Sequence, residues 1–476
     1  MNKERVVLIM DNQSIYEIDA ADADLKVKSL SLMTPLCLDT LITFQPDELV
    51  SQLGLEGVQK VDILDFECLD KQIRQSVGLN APTGKWNAAN MIATYLGKEE
   101  RKWKEEEYEE LLKELTLCYR KIKEMGSEEW QRIKDIEIPI NKILYETQAK
   151  GVYFNNDEID HMCSELHKEL YDYKNKIQLD LGYVGDDLIS YLDQHHIEHN
   201  LHSYPSDTEI KNVCKQHPEC EPFWKVRVAE RNLKCLMILS AINREQNLCR
   251  PLFKGFASST GRIFLRDPAL QNLSRKFRKL LKQDLDSNWR YEYIDFGQFE
   301  AGILAGVSKN KKLQKLYEED KIYEQLAAMT NTDRDTAKIY FYCFVYGGIM
   351  RKGTERFFEA YDLKNTVDKI VDEAIKLGFV KSALGNKRVI KEEDRYWILN
   401  HYIQGTSSLI FKQALINVKS AYFDKVELVL PVHDAALFKV HKEIDTEQLV
   451  TQFKDAFTKW IPESKPVVKK KDFFKE

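Results

Sequence analysis

Short runs of alternating apolar and polar residues open the chain: RVVLIM, IYEID, LKVKSLS and LDTLITF, with turn-forming polar residues between them. A period of two predicts β-strands. Residues 55–95 are mixed. Over 98–125 the period changes: Trp103, Tyr108, Leu111, Leu112, Leu115 and Tyr119 recur at intervals of three and four, which predicts an amphipathic helix. Its KWKEEEYEELLK portion reads as a solvated face. Residues 128–250 are strongly helical in pattern, with charged stretches such as DEIDHMCSELHKELYDYKNKIQLDL, and predict an extended antiparallel helical arm. Strand and loop character returns over 251–295, and helical character over 310–378. Residues 425–440, KVELVLPVHDAALFKV, are two β-rich runs around a tight turn. There is no internal repeat, and no low-complexity stretch beyond KPVVKKK near the end.

A length of 476 residues suggests about three modules, or one large domain with an appendage. Hydrophobic residues at 43% supply a sizeable core, and 20 Gly with 12 Pro exclude collagen-like and linker-dominated chains. No apolar run reaches about 18 residues, so no transmembrane helix is expected. The apolar run after the first Met is too short for a signal peptide. Nine scattered cysteines without a CxxC pair predict reduced thiols in a cytoplasmic compartment. The net charge of −6 argues against a simple nucleic-acid coat. It is uneven, however: residues 1–125 carry −7 and the remainder +1, so a basic groove belongs to the C-terminal part.

Three segments carry unusual polar residues on rigid elements. In Tyr291-Glu-Tyr-Ile-Asp-Phe-Gly-Gln-Phe-Glu300 a strand ends at Asp295 and a helix follows at once. A carboxylate at the end of a buried strand is costly unless it binds something, although Asp is also a common helix cap. In VELVLPV-HD-AALFKV a hairpin turn pushes Asp434 out of the sheet, and Asp is equally a common turn residue. Two strand-end aspartates suit a pair of divalent cations about 3.5–4 Å apart, which stabilise the attacking and leaving oxygens of a phosphoryl transfer. In the third segment Arg334, Lys338, Tyr342 and Tyr346 recur every four residues, one stripe on a helix. Two cations followed by two rings suit a triphosphate followed by a sugar and base. The same pattern also fits an ordinary amphipathic helix with aromatic core contacts.

In this order the segments resemble motifs A, B and C of the A-family DNA polymerases. Motif A, near DYSQIELR in the family, reads Asp295-Phe-Gly-Gln-Phe-Glu300. Motif B, near RxxAKxxNFGxxYG, reads Arg334-Asp-Thr-Ala-Lys338-Ile-Tyr-Phe-Tyr342-Cys-Phe-Val-Tyr346-Gly347. Motif C, VHDE, reads Val432-His433-Asp434-Ala435. Ser259-Thr-Gly-Arg262 through Gln271-Asn272-Leu is similar to the family's TGRLSSxDPNLQNIP, and Asn400-His-Tyr-Ile-Gln404-Gly-Thr to NxxxQGT. The resemblance covers roughly residues 130–476.

It implies an α+β right-hand fold: a palm with an antiparallel sheet (251–308 and 395–476), helical fingers (309–394) and a helical thumb (130–250). A small α/β module, residues 1–129, precedes it. Asp295 and Asp434 would hold two Mg²⁺ ions, replaceable by Mn²⁺, with the carbonyl of Phe296 helping. Arg334 and Lys338 would grip the triphosphate, and Lys338 would act as acid toward the pyrophosphate. Tyr342, Tyr346, Gln298 and Glu300 would complete the nucleotide site, Glu300 excluding a 2′-hydroxyl. Arg262, Gln271, Asn272, Asn400, Gln404 and His433 would face the primer–template. The basic run Arg275-Lys-Phe-Arg-Lys-Leu-Leu-Lys282 would meet backbone phosphates. The implied function is template-directed extension of a primer by deoxynucleoside triphosphates, without proofreading, in a bacterial cell or one infected by a virus.

There are departures from the family pattern. Ala435 replaces the second carboxylate of motif C, Phe341 and Cys343 flank Tyr342, and Tyr323 stands where the family often has His. Specialised or template-independent nucleotide addition, and a non-catalytic DNA-binding subunit, are therefore the rival readings. Asp65-Phe-Glu67 has the DxE spacing of a proofreading exonuclease's first motif, yet too little chain surrounds it for the whole domain. Residues 1–129 are thus expected to be a reduced, inactive exonuclease-like or accessory module that serves as a surface for a replication or accessory protein. His195-His-Ile-Glu198-His199 matches an inverted zinc-protease spacing, but reads as surface histidines of the arm.

Overall fold

The computed structural model describes all residues except 1–2, 11–13, 31–38, 83, 178–183, 244–246, 283–284, 347–352, 392–394 and 476. Cys37 and Gly347 lie outside the described residues.

The alternating runs at the N-terminus form a five-stranded mixed sheet. Its order is Lys28–Ser29, Ile15–Asp19, Glu4–Ile9, Thr40–Thr43, Asp62–Asp65. Glu4–Ile9 pairs antiparallel with Ile15–Asp19 and parallel with Thr40–Thr43, which pairs parallel with Asp62–Asp65. Both faces are covered, so consecutive Val6 and Val7 are each buried, in two separate apolar clusters. One cluster gathers Phe66, Leu69, Tyr95, Leu112 and Tyr119 from three helices; the other gathers Leu49, Val50 and Tyr145. The helix expected over 98–125 starts as an α-helix only at Tyr108. Residues 98–104 instead turn back along it, with Lys98 paired to Glu114 and Arg101 to Glu107 and Glu110.

A second sheet lies in the C-terminal half, in the order Val426–Val432, Ala435–His441, Trp289–Phe296, Val468–Lys471, antiparallel throughout. Helix Thr446–Trp460 backs it, with Phe296, Phe453 and Phe457 forming an aromatic layer. The long helix Arg395–Tyr422 packs beside that helix. The predicted strand–turn–strand over 425–440 and the helices between 310 and 378 are present.

Met1–Gly151, Arg250–Asn272 and Leu285–Lys475 make one compact unit. Within it buried charge ties the segment 129–137 to the long helix Arg395–Tyr422. Lys412, with no exposed side chain, donates to Glu137 at 2.8 Å; Glu137 also accepts from Arg132, which donates to Glu129 as well. The other unit is Val152–Cys249 with Leu273–Asp284. Its two long helices, Asn156–Lys176 and Glu221–Asn243, leave a short antiparallel pair, Val152–Tyr153 with Leu248–Cys249. They are bridged by Ser240 to Asp160 and by Lys174 to Glu230, antiparallel neighbours as expected of the arm, although the arm was expected over 128–250 and residues 128–151 belong to the first unit.

Candidate active site

Strand Trp289–Phe296 ends at the same edge of the sheet as the turn between Val426–Val432 and Ala435–His441. Asp295 pairs with Ala435 in the antiparallel register, and the Phe296 amide donates to the carbonyl of Asp434 at 3.4 Å. The two aspartates, 139 positions apart in the chain, therefore sit at the ends of adjacent strands. The turn is tight: Val432 faces Ala435, and His433 takes φ +55°, a left-handed conformation unusual for a residue with a Cβ. Asp295 does not cap the following helix. Gln298 stands at that cap, also left-handed, and makes no capping bond. The Phe296 ring turns into the core against Phe299, so only its backbone belongs to the strand end.

Asp434, but not Asp295, lines a cavity of about 630 Å³. The cavity is lined by Arg262, Gln271, Asn272, Glu300, Tyr342, Tyr346, Gln404, His433 and Asp434, together with Phe264 and Phe411. Glu300 is buried at the base of helix Phe299–Ser308 and held from two sides. Arg262 donates to one of its oxygens at 2.7 Å, and the Tyr346 hydroxyl donates to the other. Tyr346 also bonds Gln404 and stacks on Tyr342, ring centres 5.5 Å apart. The stripe predicted on motif B is real: helix Arg334–Tyr346 begins with Arg334 and ends with Tyr346. Lys338 lies over the Tyr342 ring at 5.9 Å, and Arg334 over Tyr323 at 5.5 Å.

Asp434 is pushed up to about 7 by its desolvation and by the charges of Glu300 and Asp295, against the opposing pull of Arg262 and Lys338. Burial is the larger cause, and the neighbouring carboxylates of Glu300 and Asp295 add to it. Two carboxylates at adjacent strand ends are hard oxygen donors of the kind that fit a divalent cation such as Mg²⁺. The residue at the second motif C position, Ala435, is buried and gives no further oxygen.

Several neighbours escaped the sequence reading. Lys471, on the last strand, donates to Asp295; the KPVVKKK stretch was its only signal. Glu324 accepts from Arg334, and Asp320 from Gln298. The other amide atom of Gln298, Oε1, is buried without a partner, and so is Oδ1 of Asn400, one turn before Gln404. Gln271 is turned inward by accepting from the Leu265 amide.

The DxE carboxylates are elsewhere. Asp65 caps helix Phe66–Val77 and accepts from Lys254 at 2.5 Å, and Glu67 lies 3.4 Å from the same ammonium. Of the 195–199 histidines, His195 packs on Tyr191 and His199 meets Asp193. Among the described residues no three His, Cys, Asp or Glu side chains cluster as a metal site, and no helix is long and apolar enough to cross a membrane.

The sequence profile of DNA polymerase family A matches residues 163–463. The chain belongs to that family. Its members similar to this chain include the DNA polymerase I of Bacillus subtilis (strain 168), 23% identical over 374 residues, covering 67% of this chain and 42% of that protein. The DNA polymerase I of Caldicellulosiruptor bescii is 25% identical over 390 residues, covering 69% and 45%. DNA polymerase theta of Caenorhabditis elegans is 25% identical over 263 residues, covering 48% and 16%. The chain thus spans less than half the length of these relatives. Among solved structures, the POL domain of Pol1 from M. smegmatis, in complex with DNA primer-template and dNTP, superposes with a TM-score of 0.80 at 16% identity, over 98% of this chain and 94% of that one. The fold is accordingly the α+β fold of a family A polymerase domain.

Proposed function

We propose that the protein is a template-directed DNA polymerase that extends a primer 3′ end with deoxynucleoside triphosphates and does not proofread. One observation carries the reading: Asp295 and Asp434 end adjacent strands, and Asp434 lines a cavity that also presents Glu300, Arg262 and two stacked tyrosines.

Asp295 and Asp434 would hold Mg²⁺, with the Phe296 backbone beside them. Bound divalent ions supply charge stabilisation for the attacking and leaving oxygens. The chain's own residues do the positioning, which is most of the work in such a transfer. Arg334 and Lys338, one turn apart, take the triphosphate oxygens, and Lys338 gives its proton to the departing pyrophosphate. Tyr342 packs on the nucleotide. Glu300, fixed by Arg262 and Tyr346, fills the space a 2′-hydroxyl would need. Arg262, Gln271, Asn272, Asn400, Gln404 and His433 face the primer–template. We assign the sheet of residues 251–308 and 395–476 as palm, 309–394 as fingers and 130–250 as thumb. Residues 1–129 are an inactive accessory module, because the DxE carboxylates are already neutralised by Lys254. The scattered free cysteines fit a bacterial or virus-infected bacterial cytoplasm.

Primer extension on a defined template tests this. Asp295→Asn and Asp434→Asn should each abolish incorporation while leaving DNA binding measurable. Retained incorporation in both variants would overturn the assignment, and incorporation by the parent protein without template would favour specialised nucleotide addition.

A further inference from the structure

Another cavity, of about 620 Å³, lies where the end of helix Phe66–Val77 meets the hairpin Phe379–Lys381 and Lys387–Val389 and the segment 257–259. The polymerase reading gives it no role. Its lining includes Lys71, Trp86, Arg388, Lys391 and Trp397, and no carboxylate among the described residues. Lys71 is balanced by Glu67. Among the described residues Arg388 has no such partner. It is half-buried, lies over the Trp397 ring at 4.3 Å, and makes one long polar contact, 3.4 Å to the Ser259 hydroxyl. Lys391 donates to the amide oxygen of Asn80. Burial without a counter-ion lowers the pKa of Arg388. An anion brought to it would remove that penalty.

The walls are held in place. Gln75 and Asn386 both donate to the Ser259 carbonyl, at 3.2 and 3.0 Å, and Gln75 donates to Asn386 at 2.6 Å. Cations beside indole rings suit nucleoside phosphates, the phosphate to the guanidinium and the base to the ring. Ala257, Ser258 and Ser259 line this cavity, and Arg262 to Leu265, the next stretch of the same chain segment, line the candidate active site. The two cavities thus take part of their linings from neighbouring stretches of one segment.

We propose that this cavity binds the unpaired 5′ extension of the template strand, Arg388 and Lys391 taking backbone phosphate and the Trp86–Trp397 walls taking bases. The N-terminal module thereby forms half of a template clamp. The inference rests on the polymerase reading, so its test measures binding without nucleotide or metal. Fluorescence anisotropy would compare two primer–templates with the same duplex, one with a single-nucleotide 5′ extension and one with about eight. The parent protein should bind the longer more tightly. Arg388→Gln and Trp397→Ala should each remove that preference, a loss of about three- to tenfold, with Trp397→Phe retaining it and the short extension unaffected. Equal losses on both DNAs, or no loss on the longer, would overturn the proposal. So would Arg388-dependent binding of a free deoxynucleoside triphosphate with no dependence on extension length, which would assign the cavity to a mononucleotide. Absence of primer extension alongside an intact length preference would count against the polymerase reading alone.

Discussion

The ammonium group of Lys254 stands 2.5 Å from Oδ2 of Asp65 and 3.4 Å from Oε2 of Glu67, with Asp65 wholly buried. A lysine thus occupies the ground between the two carboxylates of the DxE spacing. It is donated by a segment 189 positions later, on the short strand Leu252–Lys254. Removing one partner of such a pair leaves a buried charge uncompensated. Lys254→Met should therefore lower the unfolding free energy by about 3–5 kcal/mol. Asp65→Asn in the Lys254→Met background should recover most of that loss, because the remaining polar group is neutral and can still cap the helix. Urea denaturation of the four proteins of the cycle reads the coupling. Near-zero coupling would show that the pair does not tie the module in place.

Asp434 supplies a pH dependence with a definite sign. Its carboxyl is raised to about 7 in the folded chain by desolvation and by Glu300 and Asp295. An unfolded Asp titrates near 4. Between these values the folded state binds the extra proton, so the metal-free protein gains stability from this group below about pH 4 and loses it as pH rises to 7. Asp434→Asn should then raise the stability of the metal-free protein at pH 7.5 by ~1–3 kcal/mol and have little effect near pH 4. Melting curves in chelator at both pH values test it, and a destabilised variant at pH 7.5 would contradict it.

How much was legible in the sequence follows from how local each signal was. Asp295 and Asp434 stood out because each ends a β-rich run, and the Arg334–Tyr346 stripe because its spacing matches a helix. Glu300 was named, but not the two donors that lock it from opposite sides, since Arg262 and Tyr346 lie 38 and 46 positions away. Lys471 on Asp295 and Lys254 on Asp65 were invisible for the same reason: a lysine's partner across a sheet is set by register and tertiary packing. The helix start was misjudged by about ten residues because apolar spacing continues back through Trp103. Arg101 lies over Trp103 at 3.8 Å and pairs with Glu107 and Glu110, so the chain is held back on itself rather than continuing the helix.

Lys471 sets a competition at Asp295. Its ammonium is bonded to the carboxylate that would hold a metal ion, and it is half-exposed, so the contact is a weak, screened one. Lys471→Met should tighten binding of Mn²⁺ by about two- to fivefold. Titration followed by the electron paramagnetic resonance of free Mn²⁺ measures this directly, independent of catalysis. Weaker binding would mean that Lys471 orients the carboxylate and does not compete for it.

Arg334 begins the helix that carries the candidate phosphate grip, yet its guanidinium is bonded to Glu324. Both side chains are more than 40% exposed, so the pair is easily broken. Glu324→Gln should free Arg334 for the incoming triphosphate and lower the KM for deoxynucleotides by up to about fivefold at low salt, with kcat little changed. Added salt should shrink the difference, as screening weakens the pair in the parent protein. Arg334→Gln should raise KM instead. An increase in KM for Glu324→Gln would show that Glu324 positions Arg334 productively.

Glu300 gives the most specific expectation about substrate. It is 3% exposed, its two oxygens are taken by Arg262 and Tyr346, and it lines the cavity beside Asp434. A carboxylate held from both sides cannot swing aside to admit an extra hydroxyl, so the volume beside it is fixed. Glu300→Ala should lower the preference for deoxynucleotides over ribonucleotides by tenfold or more, the scale set by one group in a shaped pocket, roughly 1–3 kcal/mol. Tyr346→Phe, which removes one of the two restraints and keeps the ring stacked on Tyr342, should lower it less. Ratios of kcat/KM for matched deoxy- and ribonucleotides on one template decide the matter. An unchanged ratio for Glu300→Ala would show that discrimination against the 2′-hydroxyl resides elsewhere in the cavity.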